Sequence, residues 1–334
     1  MVEIVPVTET GALAGLAAHD KLPPFNAHTQ CAAHHADAHA VVTRDRVGVA
    51  RCSLWWREAP PLAGEVPGVI GHFAALDESA AKELLDTACD QLRVEGCTCA
   101  VGPMDGNTWR PYRLVTERSH EPSFFLEPDN PDEWPRWFVT SGFRPLAQYF
   151  SALNDNLAVE DPRMARAEER LEREGVRLRP LDLGKFAGEL QRIYAVSRVS
   201  FERNFLYTPI SEEEFLTQYE PVRAHVQPEL VLLAEQAGQP VGFIFGIPDL
   251  AQARRGVPMD TAVLKTVAVL PGRTQAGLGS LLIARCQQAA RALGFRRVIH
   301  ALMHESNQSR NISGHYAKPF RRYTLFSCSL RGAS

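Results

Sequence analysis

The stretch Val269-Leu-Pro-Gly-Arg-Thr-Gln-Ala-Gly-Leu-Gly279 decides how this chain reads. It follows an apolar run, Thr261 to Leu270, that predicts a strand ended by Pro271. It opens a helix, Gly279 to Leu293, whose apolar residues recur at helical spacing and which Gly294 stops. Gly277 and Gly279 remove side chains where the backbone turns from strand into helix. The first N–H groups of a helix have no partner inside it, and the helix dipole adds positive potential there. Strand, glycine turn and helix start together suit a pyrophosphate.

Two familiar phosphate loops do not fit. A dinucleotide fingerprint needs a third glycine where Leu282 stands, and an acidic ribose ligand after the next strand, where His304-Glu305 follows. A P-loop needs Gly-Lys-Ser/Thr, which the stretch lacks.

Outward from the loop, Val176 to Leu181 alternates as a strand, and Leu183 to Phe201 has helical spacing. Ser211-Glu-Glu-Glu214 is a capping-box start for a helix running to about Val222. Leu230 to Glu235 and Val241 to Ile247 are apolar strands joined by a turn at Gly238-Gln239-Pro240. Arg297 to Met303 is a strand, Asn307 to about Ala317 a short helix or turn, and Arg322 to Leu330 a final strand. The order β-α-α-β-β-β-α-β-α-β predicts an α/β mixed sheet, antiparallel at first, with one parallel crossover.

The first half follows the same order. Val2 to Thr8, Ala38 to Thr43, Gly48 to Trp56, Gly68 to Ala75, Cys97 to Val101 and Gln148 to Leu153 read as strands. Gly11 to Ala18, Ser79 to Val94 and Asn130 to Thr140 read as helices. The expected division is residues 1–155, a connecting helix in 156–175, and residues 176–334. The connector Asp161 to Gly175 is highly charged and reads as a solvated helix with no function.

The glycine stretch resembles the acyl-CoA-binding motif of the GNAT superfamily of N-acetyltransferases. That motif runs Val-x-Pro, two residues, Gln or Arg, two residues, then Gly-x-Gly or Gly-x-Ala. Val269, Pro271, Gly277 and Gly279 fall in register, and Thr274 stands where Gln or Arg is usual. The resemblance implies tandem GNAT folds, the N-terminal one degenerate. It implies acetyl-CoA as cosubstrate, with backbone groups of Val267, Ala268 and Val269 along the pantetheine arm. The pyrophosphate would lie against Thr274, Gln275, Ala276, Gly277, Leu278, Gly279 and Ser280, and Asn307 would contact the cofactor. The family's general acid is a Tyr after that Asn, and Tyr316 is the Tyr of that region. Glu305 and His304, at the strand end beside the cofactor, are the candidate general bases.

The resemblance places substrate selection in the first two helices and their loop, here Phe201 to Pro209. Phe201, Asn204 and Tyr207 are the candidate acceptor contacts, against the plain alternative of a loop packed by its own aromatics. In the first half, Leu76-Asp-Glu-Ser79 occupies the loop position with carboxylates that repel a pyrophosphate, so this half is expected not to bind CoA in the ordinary way. Val101 to Tyr112, Phe124 to Pro128 and Ser211 to Phe215 resemble motifs of long two-part GNAT proteins. The organisation resembles that of mycothiol synthase. Asn107, Trp109 and Tyr112 read equally as pocket lining or as packing.

Composition fits this frame. The 334 residues are 45% hydrophobic and 22% charged, as in a soluble globular protein, and the length suits about two domains. The longest apolar runs, such as Pro240 to Ile247, fall far short of the ~20 residues that span a bilayer. Met1 to Thr10 carries Glu3 and Glu9 and lacks the basic start of a signal peptide. A net charge of −3 argues against a general nucleic-acid binder. Seven cysteines without a CxxC pair read as reduced thiols in a cytoplasm. His28, His34, His35 and His39 crowd one stretch with Asp37, which reads as a solvated loop, and no metal is expected.

The expected partner is a small-molecule or peptide amine, with no nucleic acid and no membrane. The expected activity is direct attack of that amine on the acetyl thioester. A two-part acyltransferase acting on a larger conjugate, and an acyl-CoA sensor without catalysis, are the alternatives.

Overall fold

In the computed structural model, residues 1–334 are described except Leu16, Glu160, 273–275, 307–313, His315 and 332–334; of 12–15 only the backbone is described. The first half contributes β1 (Val2–Pro6), β2 (Ala17–Ala18), α1 (Ala27–Ala33), β3 (Ala38–Arg44), β4 (Val47–Trp55), β5 (Pro67–Ala75) and α2 (Glu78–Val94). It continues through β6 (Cys99–Gly102), β7 (Leu114–Arg118), α3 (Trp134–Thr140) and β8 (Arg144–Asn154). The connector forms α4 (Arg163–Arg173). The second half holds β9 (Val176–Pro180), α5 (Phe186–Ser200), α6 (Glu212–Tyr219), β10 (Val231–Gln236), β11 (Gln239–Pro248) and α7 (Leu250–Arg254). It ends with β12 (Thr261–Val269), α8 (Leu278–Ala292), β13 (Arg297–His304) and β14 (Lys318–Ser329).

All the strands join in one sheet, ordered β1-β3-β4-β5-β6-β14-β8-β13-β12-β11-β10-β9, with β2 beside β4 and β7 beside β14. The two halves exchange their last strands. β8, from the first half, pairs with β13 of the second, setting Val298 opposite Asn154. β14, from the second half, pairs with β6 of the first, setting Phe326 opposite Gly102. β8 and β14 lie side by side between them. The sheet is therefore continuous across the boundary expected from sequence.

Local rules account for most elements. Ser211 accepts the Glu214 N–H at 3.1 Å as the N-cap of α6. Ala237 and Gly238, both at positive φ, make the two-residue turn between β10 and β11. α3 starts at Trp134, later than Asn130, because the Asn130 side chain is committed to the main chain of Val115 and Pro131. α1 lies where the histidine-rich stretch read as a loop; Asn26 caps it and Cys31 is buried beneath it.

Each half has one core on either face of the sheet. α2 and α3 cover one face of the first half over Ile70, Leu84 and Phe138. In the second half α5 and α6 cover one face over Phe215 and Phe243, and α8 covers the other over Leu281 and Ile244.

Candidate functional site

β12 and β13 are parallel and bonded only from Thr261–Arg297 to Leu264–His300. Beyond that the strands part. Lys265 is an extra residue in β12, since Phe245 pairs with Thr266 and Gly246 with Leu264. Such a bulge bends its strand and strengthens the twist. On its other side β12 stays paired with β11 through Ala268 and Val269. The Leu270 N–H turns toward β11, so the alternation of a strand turns the N–H groups of Val267 and Val269 toward the opening. A main-chain edge without a neighbouring strand is what an extended amide arm requires.

At the end of β12 the chain enters α8 through Gly277 at φ +79°, a left-handed conformation open to glycine at no steric cost. Leu278 anchors the helix in the core, while Gly279 and Ser280 begin its first turn. Thr274, Gln275 and Asn307 lie outside the described residues. The connector does more than bridge the halves. α4 packs along α8, with Glu168 paired to Arg285, and Arg170 bonds the Ala276 carbonyl beside the glycine turn. A guanidinium thus stands at the loop where the motif's usual Gln or Arg is replaced by Thr274.

The far side of the opening is built by both halves. His304 ends β13 and meets the edge of Tyr149 from β8, ring centroids 4.8 Å apart, with Phe205 on its other flank at 5.8 Å. Its Nδ1 accepts from the Ser306 N–H at 3.1 Å and lies 2.8 Å from the Ser306 hydroxyl. Burial, with Arg113 nearby, holds its pKa below the ordinary histidine range. Glu305 is bound instead by Arg322 at 2.6 Å, which ties up the carboxylate.

Tyr316 is not brought to this group. It packs on the α8 side of the sheet, beside Leu157 and Met164, and its hydroxyl has no hydrogen-bond partner among the described residues. Two residues on, Lys318 pairs with Leu153, opposite Ile299 and so five residues back along β13 from His304. Tyr316, two residues before Lys318, therefore lies back along β13 from His304.

Residues 190–312 match the model of the Acetyltransferase (GNAT) family. Solved structures of the same fold extend over both halves. A tandem GNAT protein from the clavulanic acid biosynthesis pathway covers 100% of each chain at 13% identity and a TM-score of 0.50. A GCN5-related N-acetyltransferase from Anabaena variabilis covers 99% of this chain and 73% of its own, at 8% identity and a TM-score of 0.55.

Residues 190–312 form a GNAT-family domain.

Across both halves the chain has the fold of a tandem GNAT protein. Among curated relatives, a bacterial ceramide synthase from Caulobacter vibrioides is 26% identical over 201 residues, 58% of this chain and 50% of that protein. Protein YghO of Escherichia coli is 27% identical over 81 residues, 24% of this chain and 21% of its own. The chain thus spans half or less of the length of the curated relatives it matches.

The candidate acceptor contacts of this GNAT half divide. Phe201 and Tyr207 pack edge-on around Trp109, with centroids at 6.0 and 6.1 Å, while Asn204 is exposed. Trp109 also donates to the Thr208 carbonyl at 2.8 Å. Arg110 follows, reaching Glu214 on α6 at 2.5 Å with its side chain buried. The Val101–Tyr112 stretch is therefore the clamp by which the first half holds the α5–α6 region of the second. Its aromatics signalled importance in the sequence, but not the partner.

The same gap exists in the first half and is filled. β5 and β6 pair only from Pro67–Cys99 to Val69–Val101. Beyond that the chain itself enters: Met104 N–H bonds the Ile70 carbonyl at 2.9 Å and Asp105 accepts the His72 N–H at 2.6 Å. A Cβ at Gly71 would lie 2.0 Å from the Met104 carbonyl oxygen. Where the second half has a glycine turn, Asp77 caps α2 with its own carboxylate, 2.9 Å from the Ala80 N–H.

Of the crowded histidines, His34 and His39 enter a buried network rather than solvent. Ser53 Oγ lies 2.8 Å from both His39 Nδ1 and His72 Nδ1, and His34 Nδ1 lies 2.7 Å from His72 Nε2. His34, His72 and Asp105 offer donor atoms within 4.8 Å of one another, a spacing open to a metal ion. The positive fields of Arg51 and Arg110 act on Asp105 and His72 there and oppose a cation.

Proposed function

We propose that this chain transfers an acetyl group from acetyl-CoA to the amine of a small molecule or peptide, by direct attack and without a covalent enzyme intermediate. The observation that supports the reading is the parting of β12 from β13 at the Lys265 bulge, directly before a glycine-led helix start. The cosubstrate supplies a thioester carbonyl. Val267 and Val269 offer N–H groups to its arm, one of them at the oxyanion position. Gly277 to Ser280 and Arg170 offer the pyrophosphate site.

His304 is the best-placed group for proton transfer. In the neutral ring the Ser306 N–H fixes the lone pair on Nδ1, so the proton sits on Nε2. The Ser306 hydroxyl, hydrogen-bonded to Nδ1, is the port through which an attacking amine passes its proton. Glu305 and Tyr316 recede, the first held by Arg322 and the second on the other face. The first half, with its gap filled by Met104 and Asp105, serves as scaffold and acceptor wall, not as a second CoA site. Reduced buried thiols suit a cytoplasmic setting, and no helix of the described residues is long and apolar enough to cross a membrane.

A second reading, transfer to a larger conjugate, draws on the acceptor face being built by both halves through Tyr149, Phe205 and His304. The test is calorimetry with acetyl-CoA and longer acyl-CoA, for the wild type and Gly277→Glu, followed by free-thiol release across an amine library. Tight binding lost in the variant, with turnover of at least one amine, is expected. Equal binding by both proteins overturns the site; binding without turnover overturns the enzyme.

A further inference from the structure

His300 and His304 lie four residues apart on β13, yet they face opposite sides of the sheet. In a regular strand, residues an even number apart share a face. His300 Nε2 lies 3.4 Å from Gln287 Oε1 on α8, whereas His304 meets Tyr149 and Phe205 on the other face. The strand changes face between the two. β8 pairs Ala152 with His300 and Phe150 with Met303, so Ala301 and Leu302 both stand opposite Ser151. Two residues against one make a bulge, and the extra residue reverses the alternation beyond it. A β13 without that residue would turn His304 to the α8 side.

The bulge is held by side chains of the first half. Leu302 stands at φ +58°, a left-handed conformation that crowds its Cβ. Such a conformation persists only where its surroundings fix it. Ser151 Oγ accepts the Leu302 N–H at 2.9 Å, and Arg113 Nη1 reaches the Leu302 carbonyl at 3.4 Å. Ser151 is fully buried, and its hydroxyl has a set direction. Arg321 and Glu127 form a buried ion pair at 3.0 Å. Glu127 accepts the Tyr323 hydroxyl at 2.6 Å, so the Tyr323 proton goes there. The Tyr323 oxygen, 3.0 Å from Ser151 Oγ, is then an acceptor toward Ser151. The Ser151 proton points at Tyr323, which leaves the Ser151 lone pairs for the Leu302 N–H.

We infer that Ser151 is a positioning residue for the proton-transfer group: by holding the Leu302 bulge it turns His304 from the α8 side of the sheet to the acceptor side. The inference rests on the transfer reading above for the role of His304. Alanine at position 151 leaves the Leu302 N–H without its acceptor, and the left-handed residue loses what fixes it. Through β8, the strand it lends, the first half thereby aims the chemistry of the second.

The experiment has a resonance arm and a turnover arm, both on the full chain. The His304 ring Cε1–H signal is assigned by its loss in His304→Ala. Ser151→Ala is expected to shift that signal and its titration midpoint, because the ring leaves the edge of Tyr149. Tyr323→Phe, the second variant should the first fold poorly, frees the Ser151 hydroxyl to turn and shifts the signal in the same direction by less. With the amine that the wild type uses best, Ser151→Ala should lower kcat about 10- to 100-fold, since a small misplacement of a reacting group costs that much. The acetyl-CoA dissociation constant should stay within about twofold by calorimetry, because the variant removes no contact to the cosubstrate. His304→Ala should cost about 100-fold in the wild type but less than about threefold in Ser151→Ala, where the ring is already turned away. A signal unmoved in both variants, or full additivity of Ser151→Ala and His304→Ala, overturns the inference. A moved signal in a protein that turns over no amine would instead sink the transfer reading and leave the positioning by Ser151 standing.

Discussion

Arg170 of the connecting helix donates to the main-chain carbonyl of Ala276, one residue before the left-handed Gly277. A helix expected to face solvent thus places its guanidinium at the glycine turn. Arg170→Ala should raise the dissociation constant for acetyl-CoA about three- to tenfold, since a partly exposed charge at a helix start is worth roughly 1 kcal/mol. The loss should shrink as salt is added. Calorimetry at two ionic strengths checks both; unchanged affinity at low salt would remove Arg170 from the site.

His304 must be neutral for the Ser306 relay to accept a proton. Burial and Arg113 hold its pKa below the ordinary histidine value. The acid limb of kcat/KM should therefore lie below about pH 6.5. His304→Ala should lower kcat about 100-fold or more and erase that limb. A limb that persists in the variant assigns it to another group.

The buried histidines, three in the network of the first half and His300 in β13, make the protein sensitive to acid. Burial lowers the pKa of His34 to about 4, of His39 to about 3, of His72 to about 2 and of His300 to about 4. Below about pH 6.5 the unfolded chain binds protons that these rings refuse, so stability falls with pH. The slope is at most about 1.4 kcal/mol per pH unit for each histidine. Asp105 opposes the trend: burial raises it to about 6, so the folded state gains a proton before the unfolded state does. Urea melts between pH 7 and pH 4.5 should show a steep net loss. A flat profile would mean that these rings are solvated.

Six of the seven thiols are buried, and Cys328 is the exception. The Cys89 thiol hydrogen-bonds its sulfur and lowers its pKa to about 7, favouring the reactive thiolate. Iodoacetamide at neutral pH should label Cys328 first, and Cys328→Ser should remove the fast phase seen by mass spectrometry. First labelling at Cys31 or Cys286 would contradict the packing.

Neither half should fold alone. Residues 156–334 without β8 would leave β13 with an open edge, and residues 1–155 without β14 would do the same to β6. Each fragment, expressed separately, is expected to aggregate or to lack cooperative melting, and co-expression should restore a soluble pair. A monomeric half with a sharp melt would overturn the exchange.

What the sequence disclosed and what it hid follow from range. The glycine turn, the strand before Pro271 and the Ser211 cap are written in a few neighbouring residues, and the structure has them. The Asp77 cap is equally local: carboxylates at Leu76–Ser79 announced a loop unlike that of the second half. The exchange of β8 and β14 was not legible, because both strands alternate alike and alternation says nothing about which edge a strand joins. Arg170 was hidden in a charge run whose periodicity gives a face but not its neighbour. Trp109 and Tyr112 stood out by type, yet only the fold shows one clamping the α5–α6 region and the other stacking on Arg113.

The exchanged strands also set a timetable. During synthesis β6 emerges long before β14, the strand that completes its edge, so the first half waits unfinished while the second is made. The order of assembly is imposed by the chain: β8 must be held ready until β13 arrives, and β14 closes the sheet last. Such distant pairings slow folding and leave strand edges open meanwhile. The middle of this molecule, where the two halves are most firmly joined, is the part that a ribosome-bound chain cannot yet possess.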